Sequence, residues 1–155
     1  MNYQKTSNTN YFDSTSYSGI MSRLDKIQPN SERKWGKMTV SQMLHHLNLA
    51  IGSGLGYYNL PDESNFLSRN LFPVFALDVL KKFPIGLKTV PSLIALEEFD
   101  FETEKRILKE ILAKAYATKT NEEWGKHAFL GQLSRKKWGQ LIMIHCNHHF
   151  QQFSN

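Results

Sequence analysis

Apolar residues recur at helical spacing in several stretches of the chain. The clearest stretch follows Thr39 and Gln42, which have the spacing of a capping box, and its apolar positions form one stripe that ends at the glycines of 52–56. Helices are predicted over about 14–27, 39–52, 63–82, 100–117 and 134–152. We expect the third of these to kink near Pro73, because proline removes a hydrogen-bond donor from the helix.

These helices predict an all-α fold. The chain shows no sustained alternation of apolar and polar residues, and no Asn-Gly or Asp-Gly turn joins β-branched runs. The pattern therefore indicates a four-helix bundle with a short extra N-terminal helix. Residues 1–12 are rich in Ser, Thr and Asn and are expected to be a flexible tail, with docking of Tyr11 or Phe12 as the alternative. Residues 13–155 would form a single domain.

The composition is that of an ordinary globular protein. Hydrophobic residues make up 41% of the 155 positions, too many for a disordered chain, and one cysteine is too few for a disulfide framework. Cys146 has no partner for an internal disulfide, and the N-terminus lacks the apolar segment of a secretory signal, so a cytoplasmic location is expected. The longest apolar stretch, residues 71–80, is too short to span a bilayer, so no membrane partner is expected.

The net charge of +5 says little about partners. The lysines and arginines lie in small groups near predicted helix ends, where cations meet exposed carbonyl groups. A nucleic-acid-binding protein usually adds a recognisable motif or a continuous basic stripe, and this sequence has neither. Nucleic-acid binding is therefore disfavoured.

Three of the six histidines lie close together in the last predicted helix. At about 100° per residue, His145 and His149 fall one turn apart in the middle of the buried face, and His148 falls at its edge. Two neutral imidazoles at positions i and i+4 can share one metal ion. The spacing therefore indicates a metal site, with purely structural histidines as the alternative.

A metal site needs a third ligand from elsewhere in the chain. The candidates are His127, in the loop before the last helix, and His45 and His46 on the second predicted helix. On that helix His46 lies nearer the apolar stripe and His45 points away from it, so the helical wheel selects His46. Cys146 lies off the centre of the buried face and is interpreted as a small hydrophobe rather than a nucleophile.

Several motifs resemble the DinB-like superfamily of four-helix proteins. Residues 40–47 look like its histidine-bearing helix, and His145-x-x-x-His149-x-x-Gln152 resembles its terminal helix. A DinB-related branch of unknown function is more similar still, through Arg23-Leu24-Asp25-Lys26, Trp35-Gly36-Lys37-Met38, Phe129-Leu130-Gly131-Gln132-Leu133, Trp138-Gly139 and the terminal run of residues 145–153. The resemblance covers most of the chain from about residue 20 onward. One departure is Ala128 after His127, where the branch is expected to have proline.

The resemblance implies one divalent metal ion bound by His46, His145 and His149, the same histidines that the wheel selects. An open site of this kind is typical of catalytic metal centres and would suit zinc, nickel or ferrous iron. Similar superfamily members are thiol-dependent transferases and isomerases, in which a low-molecular-weight thiol is thought to coordinate the metal. The resemblance therefore implies a metal-dependent transferase, isomerase or hydrolase acting on a small molecule.

The alternative is a non-catalytic metal-binding or stress-response protein that uses the bundle to sense a ligand. A homodimer is one expected oligomeric state of such a protein. No Asp or Glu lies within one helical turn of a predicted ligand, so the sequence shows no obvious general acid or base. His127 and His148 are the remaining candidates, although each is interpreted first as a residue that orients a ligand or lies at the surface.

Overall fold

Most of the chain is helical, and the four longest helices all begin at a capping side chain. The computed structural model describes residues 10–120 and 123–153. Its α-helices, in chain order, are α1 (Ser14–Lys26), α2 (Val40–Gly52), α3 (Phe66–Asn70), α4 (Phe101–Ala117) and α5 (Arg135–Gln152). Within those described ranges the only β-type pairing is a single bridge between His127 and Gly131, so the all-α prediction is confirmed.

The capping box predicted for the second helix is present at the start of α2. Thr39 Oγ1 accepts from the Gln42 backbone N–H at 3.2 Å, and Gln42 Oε1 accepts from the Thr39 N–H at 2.9 Å. Asp100 and Ser134 cap α4 and α5 as predicted, through the N–H groups of the third residue of each helix. The caps of α2 and α5 fix where the two histidine-bearing helices begin.

The long helices bury one shared core. α2 packs against α4, α1 packs against α4 and α5, and α2 also contacts α5. The core includes side chains from all four of these helices, among them Leu24, Leu44, Leu47, Leu108, Leu112, Trp138 and Ile142. Because this packing sets the separation of α2 and α5, it also positions the histidines that these two helices carry.

The chain before α1 reaches the core, as the docking alternative anticipated. The Tyr11 side chain is fully buried, and its hydroxyl donates to the Leu112 carbonyl at 2.7 Å. The Tyr11 backbone N–H also donates to the Gly139 carbonyl at 3.0 Å, and Phe12 packs at the edge of the same core. Tyr11 therefore ties α1 to α4 and α5, while residues 1–9 of the predicted tail lie outside the described part of the chain.

The predicted helix over 63–82 is not one continuous helix. α3 ends at Asn70, and after a turn the chain continues as a π-helix over Val74–Leu80. Pro73 precedes the π-helix, and because it has no N–H to donate, the α-helical hydrogen-bond ladder is interrupted there. The expected disruption near Pro73 is therefore observed, as a change of helix type.

This same segment carries a face of exposed apolar side chains. Phe66, Leu67 and Val79 are 73%, 61% and 65% exposed, and Leu71, Val74 and Phe75 are each more than half exposed. We call these six residues the exposed apolar face of 66–80. No helix in the described part of the chain is both long enough and apolar enough to cross a membrane.

Candidate metal centre

Three buried histidines from two helices come together where α2 faces α5. His46 lies on α2, and His145 and His149 lie one turn apart on α5. One ring nitrogen of each lies within 4.8 Å of the others, and the Nε2 atoms of His46 and His145 are 2.9 Å apart. The structure thus brings together the three histidines selected from the sequence, and their role as metal ligands stays a prediction.

The ring orientation of His46 is fixed by a backbone carbonyl. Its Nδ1 lies 2.7 Å from the carbonyl oxygen of Leu93, which can only accept. Nδ1 therefore carries the proton, and the Nε2 lone pair points toward the other two histidines. Leu93 lies in the 3-10 turn Pro91–Leu93. This ring is therefore held in place by a segment between helices in which the sequence predicted no site residue.

Gln152 fixes the ring of His149 in the same way. The Gln152 Nε2 donates to the Trp35 carbonyl at 2.9 Å, which turns its Oε1 toward His149 Nδ1 at 2.7 Å. Nδ1 of His149 must then donate, leaving Nε2 as the unprotonated nitrogen. Gly36 makes room for this arrangement, because a Cβ atom at that position would lie 2.5 Å from Gln152 Nε2 and its φ is +81°.

His145 has no such partner among the described residues, since its buried Nδ1 forms no hydrogen bond there. Its Nε2 lies at hydrogen-bond distance from the unprotonated Nε2 of His46, so in this state His145 carries its proton on Nε2 and donates to His46. Ligation of a metal through Nε2 would require this proton to move to Nδ1 or to leave.

Burial keeps the three imidazoles neutral. It is the main cause of the lowered pKa of His46, His145 and His149, and their mutual proximity lowers the pKa of His145 and His149 further. Metal ions bind the neutral form of imidazole. Burial therefore keeps all three rings in the neutral form that ligation needs, although the proton on His145 Nε2 must still move or leave.

His45 points away from this site, as the helical wheel predicted. Its Nδ1 lies 3.1 Å from Oε2 of the buried Glu104 on α4, and its ring stacks on Phe99 with centroids 3.8 Å apart. The Asn48 amide donates to the same carboxylate oxygen at 2.8 Å. Glu104 was not predicted as a site residue, although it shares the spacing of the buried residues Leu108, Leu112 and Ala115 on α4.

His127 lies in a tight turn beside the centre. Its backbone pairs with Gly131 in both directions, at 2.9 and 2.8 Å, and its Nδ1 lies 3.1 Å from the backbone nitrogens of both Phe129 and Leu130. The turn forms with Ala128 in place of the expected proline, and the Ala128 carbonyl accepts from the Glu63 N–H at 2.9 Å. Burial lowers the pKa of His127 to about 3.

Two further residues considered from the sequence have different surroundings. His148 is half-buried against the rings of Trp35 and Phe83, and burial lowers its pKa. Cys146 is fully buried, and burial raises the pKa of its thiol to about 12. A thiol with this pKa is unreactive at neutral pH, which supports the interpretation of Cys146 as a small hydrophobe.

A cavity of about 390 Å³ adjoins the three histidines. Its wall is largely aromatic and aliphatic, and also includes His127, His148, Lys37 and Lys88. The principal apolar lining residues are Met38, Phe72, Phe83, Leu87, Phe129, Leu130 and Leu141. The volume is within the range of small-molecule sites, so a ligand in the cavity would lie next to the histidine nitrogens.

Comparison with known proteins gives a family but no activity. No curated protein and no solved structure matched the chain. One family model, described as "protein of unknown function (DUF1569)", matches residues 10–155. That match includes all the residues of the candidate metal centre, and the chain belongs to the DUF1569 family.

Proposed function

We propose that the protein binds one divalent metal ion through His46, His145 and His149 and uses it in chemistry on a small molecule held in the adjoining cavity. The observation that carries this proposal is the convergence of three buried, neutral imidazoles on one point. Hydrogen bonds replace water at Nδ1 of His46 and of His149, but burial also removes water from the unprotonated Nε2 atoms of these two rings, which is costly. A common cation would offset that cost.

The donor set suits a metal of borderline softness. Three imidazole nitrogens favour zinc, nickel or ferrous iron over magnesium or calcium, which prefer oxygen ligands. Zinc centres with three protein ligands are typically catalytic, whereas structural zinc sites usually have four. When bound, such an ion lowers the pKa of a thiol or water and so supplies a nucleophile near neutral pH.

The residues around the histidines have separate tasks in this proposal. The Leu93 carbonyl and the Gln152 amide orient the rings of His46 and His149. The aromatic wall formed by Phe72, Phe83 and Phe129 limits the access of water to the site. The resemblance to DinB-like proteins adds a low-molecular-weight thiol as the proposed co-substrate, and transfer, isomerisation or hydrolysis as the proposed reaction.

A non-catalytic metal-binding or sensing protein is the second candidate, and the lining of the cavity favours it. No side chain that lines the cavity in the described part of the chain is a carboxylate. His127 is a poor base, because its pKa is about 3 and two backbone N–H groups occupy its Nδ1. That leaves His148 as the one remaining candidate for proton transfer considered from the sequence.

The metal proposal is tested by titrating chelator-treated protein with zinc and with nickel. Alanine in place of His46, His145 or His149 should each lower the affinity sharply, whereas His45→Ala should leave it unchanged and serves as the matched control on α2. His148→Ala should have an intermediate effect if that ring helps to orient its neighbour. Circular dichroism of each variant establishes that it is folded.

Two outcomes would contradict the proposal. Wild-type protein that binds neither metal more tightly than micromolar would exclude the metal site. A loss of affinity in His45→Ala without one in His46→Ala would show that the ligand on α2 is misassigned. Turnover of an activated thiol-conjugation or ester substrate that disappears with chelator would distinguish the enzyme from the non-catalytic alternative.

A further inference from the structure

The cavity beside the three histidines has two kinds of polar lining. The unprotonated Nε2 atoms of His46 and His149 are acceptors at the proposed metal position, whereas Lys37, Lys88 and His127 donate hydrogen bonds or carry positive charge. The polar wall of the cavity consists of Lys37, Lys88, Thr89 and histidines, and the rest is apolar. Among the described residues that line it, none has a carboxylate or carboxamide side chain. A ligand that complements the two lysines and His127 needs hydrogen-bond acceptors and negative charge.

His127 supplies the most sharply defined donor in this wall. Two backbone N–H groups, those of Phe129 and Leu130, lie 3.1 Å from its Nδ1, so this nitrogen must accept. The neutral ring therefore carries its proton on Nε2. That Nε2 is buried and has no hydrogen-bond partner among the described residues. An unpartnered buried donor is costly, and an acceptor on a ligand would remove the cost.

The ring contact of His127 does not replace this missing partner. His127 meets Trp138 edge to face, with ring centroids 5.7 Å apart. A contact between an N–H group and an aromatic ring is weaker than a hydrogen bond to oxygen. The Nε2–H therefore still lacks a strong acceptor, and because the atom is buried, a ligand in the cavity reaches it through a shift of the His127 ring.

Lys37 and Lys88 place positive charge at the outer part of the cavity. Both side chains are exposed, and neither forms an ion pair within residues 10–120 and 123–153. Lysines that line a largely apolar cavity attract anions and discriminate against cations. Together with His127 they surround the cavity with complementary groups for an anion.

We propose that this cavity binds a small carboxylate with an apolar body, whose carboxylate oxygen accepts from His127 Nε2–H and whose charge is balanced by Lys37 and Lys88. The apolar body lies against the wall that includes Phe72, Phe83 and Phe129. This inference names the substrate class of the function proposed above, and it rests on that proposal only for the claim that the ligand is a substrate. Binding of the carboxylate itself requires no metal.

The test compares phenylbutyrate with phenylbutanol, which has the same apolar body and no charge. Each is titrated into chelator-treated protein and into zinc-loaded protein. Wild-type protein should bind the acid at least about 10-fold more tightly than the alcohol in both states, because hydrogen bonds to a charged acceptor are the stronger kind. An equal affinity, or a preference that appears only with zinc, would overturn the proposal.

Two variants of His127 distinguish the role of Nδ1 as an acceptor in the turn from the role of Nε2–H as a donor to the ligand. In His127→Asn the Oδ1 can replace Nδ1 as the acceptor in the turn, but the Nε2–H donor is lost. In His127→Gln the amide N–H can reach the position of Nε2, but the acceptor in the turn is lost. The Asn variant should lose about 10-fold in affinity for the acid with little change in Tm, and the Gln variant should keep the preference for the acid at a lower Tm.

The lysines provide a test that leaves the turn intact. Lys37→Met and Lys88→Met should each lower the affinity for the acid about two- to five-fold, leave the affinity for the alcohol unchanged, and reduce the salt dependence of acid binding. Unchanged acid binding in both lysine variants and in His127→Asn would overturn the proposal. Failure of zinc to bind would reject the metal site alone, since the acid preference is measured in chelator-treated protein.

Discussion

Gln152 offers a way to weaken the candidate metal centre without touching a ligand. Its side chain is 3% exposed, and its amide joins His149 Nδ1 to the Trp35 carbonyl through hydrogen bonds of 2.7 and 2.9 Å. Gln152→Met keeps the length and much of the volume of the side chain but removes both hydrogen bonds. The His149 ring would then lose the contact that fixes its tautomer and its orientation.

The expected loss in metal affinity follows from that contact. Removing the partner of a ligating histidine typically costs 10- to 100-fold in affinity, which corresponds to about 1.4 to 2.7 kcal/mol. In chelator-treated protein the same change leaves a buried N–H group without an acceptor, so the free energy of unfolding should fall by about 1 to 3 kcal/mol.

A competition titration with a chromophoric zinc chelator measures the affinity, and urea unfolding measures the stability. Gln140→Met is the matched control, because Gln140 is also a buried glutamine on α5 and its amide bonds Asp78 rather than a histidine. That variant should lose stability without losing zinc affinity. Gln152→Glu should retain the affinity, because a carboxylate still accepts from His149 Nδ1–H.

Two results would refute the role given to Gln152. A zinc Kd for Gln152→Met within two-fold of wild type would show that Gln152 does not orient the ligand. If Gln152→Glu lost as much affinity as Gln152→Met, the donor to Trp35 rather than the acceptor for His149 would be the important group.

Three other predictions concern stability. Thr39→Ala should lower the free energy of unfolding by about 1 kcal/mol, because the capping box is lost. An unchanged urea midpoint would contradict this prediction. Tyr11→Phe should also lower the free energy of unfolding by about 1 kcal/mol, because the hydrogen bond to the Leu112 carbonyl is lost, and an unchanged urea midpoint would contradict this. Chelator-treated protein should be most stable above pH 6.5 and lose stability as the pH falls, because its buried histidines have a pKa lowered from 6.5 and the unfolded chain therefore binds more protons. The slope can reach about 1.4 kcal/mol per pH unit for each such histidine, and urea midpoints that are equal at pH 7 and pH 5 would contradict the reasoning.

The helices of the site could be predicted because their local signals agree. α2 has a capping box and one apolar stripe, so the position of His46 on the buried side follows from helical geometry alone. The same geometry places His145 and His149 one turn apart on α5. Helical periodicity is sufficient to predict whether a residue lies on the buried or the exposed side of its own helix.

The partners of those histidines could not be predicted, since they come from distant parts of the chain. The Leu93 carbonyl is 47 residues from His46, and the Trp35 carbonyl is 117 residues from Gln152. No periodic pattern relates a backbone carbonyl in a loop to a side chain on a helix. The tautomer of His127 could not be predicted either, because it depends on two N–H groups in an irregular turn.

The exposed apolar face of 66–80 affects how unfolding experiments on this protein should be designed. The dye anilinonaphthalene sulfonate is commonly used to detect loosely packed states, because it fluoresces on exposed apolar surface. Here the native fold already presents six large apolar side chains in one segment, with Phe66 73% exposed. Native protein is therefore expected to bind the dye, and a high fluorescence at neutral pH would report this surface rather than a loss of tertiary packing.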